Sequence, residues 1–78
     1  MIVTSDITKL FGLADIDIDI SDLVEDEPLR TYGLDSMDIS LLILQVERQY
    51  GLSLSPEHTV GLRSVKDFVE LVNGTTRH

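Results

Sequence analysis

The sequence predicts a small all-α domain: a bundle of four helices, three longer and one short, with a long loop between the first and the second. Three observations carry that prediction. Apolar residues recur at helical spacing in three separate segments. Capping residues stand where helical segments start and stop, as at Gly51 and at Ser55-Pro56-Glu57. The 78 residues are enough for one domain, spanning 1–78, and leave no room for a second. A core that small is thin, with an expected stability of roughly 3–5 kcal/mol. It suits holding a few helices together better than enclosing a deep, dry catalytic pocket.

The elements follow in order. Residues 4–14 read as a first helix, with Thr4 or Ser5 as N-cap, Asp6 in the first turn, and Ile7, Leu10, Phe11 and Ala14 at helical spacing. From 15 to 35 the periodicity is lost. The alternating Asp-Ile run fits a helix badly and Pro28 discourages one, so this stretch reads as a loop anchored by Ile16, Ile18, Ile20, Leu23 and Leu29. A structureless connection of that length is unusual. Residues 36–50 form the strongest helical pattern, with Gly51 as its C-terminal stop. Ser55 as N-cap, Pro56 at N1 and acidic Glu57 open a short helix at 56–60 that Gly61 ends. Ser64, with Asp67 three positions on, opens a last helix at 65–73, whose face is Val65, Phe68, Val69 and Val72. Asn73-Gly74 is expected to close it, leaving a frayed tail.

Composition removes several functions. Without cysteine there is no disulfide, thiolate metal site or cysteine nucleophile, and with only His58 and His78 the common zinc constellations are out of reach. No basic, then apolar, leader opens the chain, and the longest apolar run, Leu41 to Leu44, is far too short to span a bilayer. The chain reads as soluble and cytoplasmic. Fourteen acidic residues against six basic ones give a net charge of −8, which makes nucleic acid and anionic membranes poor partners. A basic patch on a protein is a good one. Asp15-x-Asp17-x-Asp19 opens like a calcium loop. However, Ile20 stands where the sharp turn needs glycine, and Asp26 where a bidentate glutamate belongs. We read a solvated acidic loop and no metal site.

The 36–50 helix is apolar on two sides. Ile39, Leu42, Ile43, Val46 and Tyr50 form one stripe, and Met37, Leu41 and Leu44 lie nearly opposite. Such a helix is either packed all round or offers one face to a partner. A domain of this size covers one face well and rarely both, so Met37, Leu41 and Leu44 read as a docking patch that starts one residue after Ser36. Tyr32 and Tyr50 read as packing residues with wet hydroxyls, and His58 is given no role.

Ser36 sits where a loop turns into this helix, and three readings apply. Asp35 or Ser36 can serve simply as the N-cap. A hydrolase nucleophile is rejected, because the second glycine of a nucleophile elbow is missing and only His58 could act as base. The third reading is a serine that accepts a phosphodiester: a helix N-terminus favours the anion, and Gly33 permits close approach of a modifying enzyme.

The stretch Asp26-Glu27-Pro28-Leu29-Arg30-Thr31-Tyr32-Gly33-Leu34-Asp35-Ser36-Met37 resembles the signature of acyl and peptidyl carrier proteins: an acidic residue, a leucine, a glycine, then Asp-Ser before an apolar residue. The resemblance extends from the first helix to Val65-Lys66-Asp67-Phe68-Val69 and includes the long loop. It implies a 4′-phosphopantetheine arm on Ser36, transferred from coenzyme A by a phosphopantetheinyl transferase. The arm's thiol would carry an acyl or aminoacyl group as a thioester, and the chain itself would not be an enzyme. Asp35 would help position the transferase's metal–coenzyme complex, and Met37 would dock against that enzyme. A loading ligase or adenylation enzyme and downstream biosynthetic enzymes complete the implied partners, met by a monomer through Met37, Asp38, Leu41, Leu44, Glu47 and Arg48. Asp38 and Glu47 keep the acidic character usual in carriers of fatty-acid synthesis; Leu41 and Arg48 depart from it. That departure points to polyketide, nonribosomal peptide or another dedicated pathway. Met1 and the short flanks suggest a free-standing carrier. The alternative is an unmodified helical interaction module docking through Met37, Leu41 and Leu44.

Overall fold

Each amphipathic stretch becomes a helix by finding both a cap and a core to face. The computed structural model describes residues 1–16, 18, 21 and 23–76; expectations that fall on Asp17, Asp19, Ile20, Asp22, Arg77 and His78 lie outside them. Among the described residues the order is α1 (Thr4–Leu13), a 3-10 turn (Leu29–Tyr32), α2 (Ser36–Tyr50), α3 (Pro56–Thr59) and α4 (Val65–Thr76), with no strand. The protein is a small all-helical bundle with three longer helices and one short.

Helix α1 packs against both α2 and α4. Ile7, Leu10 and Phe11 of α1 meet Leu42 and Val46 of α2 and Val65, Phe68 and Val72 of α4 in one buried cluster. Ile39, Ile43 and Tyr50 flank it, partly buried. Because α2 buries only this side, its opposite side is left outward.

The cap of α1 differs from expectation. Neither Thr4 nor Ser5 is the N-cap. Val3 takes that position, its N–H donating to Asp6 Oδ2 at 2.9 Å. The Thr4 hydroxyl is drawn away to the Glu25 carboxylate. At the other end Asp15 adopts a left-handed φ of 60°, and Ile16 N–H reaches back to the Phe11 carbonyl at 2.9 Å. That is the reversal a glycine usually supplies after a helix, here made by an aspartate, which tolerates the conformation better than most residues. Gly51, with φ 64°, ends α2 in the same manner.

The loop after α1 is not structureless. Pro28 opens the 3-10 turn and Gly33 closes it with φ 87°. The turn is held from outside: Leu29 N–H donates to the Arg63 carbonyl at 2.7 Å, and Leu29 is 1% exposed. Nearby, Lys66 N–H donates to the Glu25 carbonyl at 2.8 Å and Val24 N–H to the Tyr32 hydroxyl at 2.7 Å. Ile16, Ile18 and Leu23 pack against the core from the same segment.

The two short-range boxes at α3 and α4 are formed by side chains. Ser55 Oγ accepts from His58 N–H at 3.4 Å while His58 Nδ1 accepts from Ser55 N–H at 3.3 Å, so His58 serves as a cap partner. Ser64 Oγ accepts from Asp67 N–H, and Asp67 Oδ2 accepts from Ser64 N–H at 3.0 Å. Helix α4 runs past the expected stop at Asn73-Gly74 to Thr76. The Asn73 amide is engaged with the chain start: Oδ1 accepts from Ile2 N–H at 2.8 Å and Nδ2 donates to the Ile2 carbonyl at 3.1 Å.

Candidate functional site at the start of helix α2

Ser36 is the first residue of α2 and Asp35 is its N-cap. Asp35 Oδ1 accepts from Asp38 N–H at 2.9 Å, and Asp38 Oδ2 accepts from Asp35 N–H at 3.1 Å. This reciprocal box satisfies orphan donors at the helix start without any help from Ser36. The capping duty that the sequence leaves open between Asp35 and Ser36 therefore falls to Asp35. Ser36 is exposed, and its hydroxyl bonds to none of the described residues. What remains there is a free primary hydroxyl on a helix N-terminus, a place that favours an anionic group.

Gly33 is required by backbone geometry. Its positive φ aims the chain from the 3-10 turn into the α2 cap, and a Cβ there would meet nothing within 4 Å. The space outside Gly33 is open to solvent, next to the serine.

The outward side of α2 carries Met37, Leu41 and Leu44, which are 71%, 41% and 39% exposed. Arg48 is exposed on the same helix. Asp38 and Glu47 have structural duties as well: Asp38 completes the cap, and Glu47 Oε2 accepts from Leu54 N–H at 2.9 Å, tying down the segment after α2.

A groove of about 610 Å³ opens beside Ser36. Leu34, Ile39 and Ile43 line its apolar side, Val60 and Leu62 face them, and Arg30 and Arg63 also border it. Neither arginine stands out in the sequence, because their proximity depends on the Leu29–Arg63 backbone bond. Among the described residues no cluster of three or more His, Asp or Glu side chains could hold a metal ion, and no helix is long and apolar enough to cross a membrane.

Residues 5–72 match the family model described as the phosphopantetheine attachment site. The chain belongs to that family. It is a carrier protein, a class of domain that bears 4′-phosphopantetheine and performs no catalysis. It is also 36% identical, over 52 residues, to a protein of Streptomyces coelicolor named "Probable acyl carrier protein". That match covers 67% of this chain and 57% of the Streptomyces protein, so the chain spans little more than half the length of that relative. The exposed, unbonded hydroxyl beside an open groove fits the prosthetic group that the family attaches.

Proposed function

We propose that Ser36 is the attachment residue and that the chain carries acyl or aminoacyl intermediates between biosynthetic enzymes. The observation that carries this reading is the division of labour at the α2 start. Asp35 and Asp38 cap the helix, and the Ser36 hydroxyl is left exposed and without a partner among the described residues. When attached, the group supplies a terminal thiol on which cargo is held as a thioester. The chain's own residues present the hydroxyl, keep the adjoining backbone open at Gly33, and offer a surface to visiting enzymes. Asp35 keeps one carboxylate oxygen out of the cap, available to the transferase's metal–coenzyme complex.

Met37, Leu41 and Leu44 form the apolar part of that surface. Asp38, Glu47 and Arg48 border it, and buried apolar anchors inside a polar rim are what transient partners use. The partners we assign are a phosphopantetheinyl transferase, a loading ligase or adenylation enzyme, and downstream enzymes, in the cytoplasm where coenzyme A is at hand. The carrier domain acts as a monomer. Exposed Leu41 and Arg48 make this face more apolar and less uniformly acidic than a basic partner would select. On that ground we favour a dedicated pathway, of polyketide or nonribosomal peptide type, over housekeeping fatty-acid synthesis.

Intact mass after incubation with coenzyme A, magnesium and a broad-specificity transferase tests the assignment. One added phosphopantetheine on wild type and none on Ser36→Ala is the expected result. An unmodified wild type, with its helical fold intact and a control carrier modified, would leave an unmodified docking module as the better account of the exposed Met37, Leu41 and Leu44.

A further inference from the structure

Arg30 and Arg63 are far apart in sequence and meet at one groove because the Leu29 N–H donates to the Arg63 carbonyl at 2.7 Å. Both are exposed, and both line the groove that Ser36 lines. The chain has fourteen acidic residues, yet among the described residues neither guanidinium has an ion pair or a hydrogen bond. Asp26, Asp67 and Glu70 border a neighbouring groove with Arg63. Of these, Asp67 is already taken, its Oδ2 accepting from the backbone N–H groups of Arg63 and Ser64 at 3.0 Å each. Two guanidinium groups without an ion pair among the described residues therefore line the Ser36 groove, together with Asp35, whose Oδ1 is engaged in the α2 cap. An anion held in this groove is favoured by both positive charges. Planar guanidinium forks suit phosphate oxygens better than any other side chain does.

We propose that Arg30 and Arg63 hold the phosphodiester that joins the prosthetic arm to Ser36. They thereby lay the start of the arm along the groove wall formed by Leu34, Ile39 and Ile43. This inference rests on Ser36 being the attachment residue. The phosphodiester is the anion tied covalently to a residue of this same groove, so it reaches the rim without any further partner. The arginines act as positioning residues: they set how much of the time the arm lies on the protein.

The test uses fully modified protein, with mass confirming one arm per chain. Wild type is compared with R30Q/R63Q and with R30K/R63K by 31P and proton NMR relaxation of the arm. In wild type the arm should share the slow tumbling of the domain. Loss of charge-assisted hydrogen bonds in the glutamine pair should reduce the docked population roughly tenfold, and the lysine pair should fall between. High salt should move wild type toward the glutamine pair. Equal arm mobility in wild type and R30Q/R63Q, both fully modified, overturns this inference and leaves the Ser36 assignment standing. A wild type that takes no arm at all overturns both.

Discussion

Replacing Asp35 and Ser36 separately distinguishes the residue that builds the helix start from the one that is left free by it. Asp35→Ala removes the acceptor for Asp38 N–H at 2.9 Å and leaves that donor to water. Losing such an N-cap costs about 1 kcal/mol. For a domain of this length that shift lowers Tm by about 4–8 °C. Against a total stability of roughly 3–5 kcal/mol the loss is large. Asp35→Asn keeps an acceptor of equal capping quality and gives up only the charge at the helix N-terminus, a smaller loss of about 0.3–1 kcal/mol. Ser36→Ala removes a hydroxyl that bonds to no described residue and should stay within about 0.5 kcal/mol of wild type. Far-UV ellipticity against temperature, with urea titrations at 25 °C, measures all three on a chain whose described elements are helical. The order expected is Ser36→Ala nearest wild type, then Asp35→Asn, then Asp35→Ala. If Ser36→Ala is the variant that melts early while Asp35→Ala does not, Ser36 is the cap and its hydroxyl is not free. Transfer kinetics add a second axis: Asp35→Asn retains the cap, so a slower rate of modification there reports on the carboxylate alone.

Three further outcomes are expected. Burial, and after it the Asp6 carboxylate, raises the Tyr50 phenol above its ordinary 10.0. The folded chain then keeps a proton that the unfolded chain has released, so stability is intact below about pH 10 and is lost as pH rises through the folded value. Urea midpoints between pH 8 and 11 should fall more steeply in wild type than in Tyr50→Phe, and parallel curves would contradict the assignment. Asp15→Gly should stabilise by about 0.5–1 kcal/mol, since glycine takes the left-handed φ of 60° freely; an equal gain from Asp15→Asn would trace the effect to charge. Leu42→Ala, at a fully buried position, should cost about 2–5 kcal/mol and leave the domain near its unfolding midpoint, whereas Leu41→Ser on the outward side should leave the urea midpoint nearly unchanged.

The α2 helix and its surroundings are legible in the sequence because their signals are local. Helical spacing separates Leu42 and Val46 from Met37, Leu41 and Leu44, and Gly51 marks the stop without reference to the rest of the fold. The same is true of Ser55 with Pro56 and of Ser64 with Asp67. What escapes is whatever depends on a distant partner. The 3-10 turn at Leu29–Tyr32 has no periodicity to betray it and is secured by the Arg63 carbonyl. Helix α4 outruns Asn73-Gly74, and the Asn73 amide pairs with Ile2, 71 positions away. At the site, two adjacent residues of good capping type made the choice between Asp35 and Ser36 undecidable from composition; only the hydrogen-bond geometry separates them. Arg30 and Arg63 were invisible as a pair for the same reason as the turn. In the sequence Asp15 reads as part of an acidic loop, whereas in the structure its backbone reverses the chain.

The bidentate pairing of the Ile2 backbone with the Asn73 amide joins residues 71 positions apart, nearly the full length of the chain. Closing so long a loop is entropically unfavourable by about 3–4 kcal/mol until the intervening helices are in place. Helices α1 and α4 pack directly on each other, so once they are docked the contact closes at little further entropic cost. A contact made after the folding barrier sets how rarely a structure opens, not how quickly it assembles.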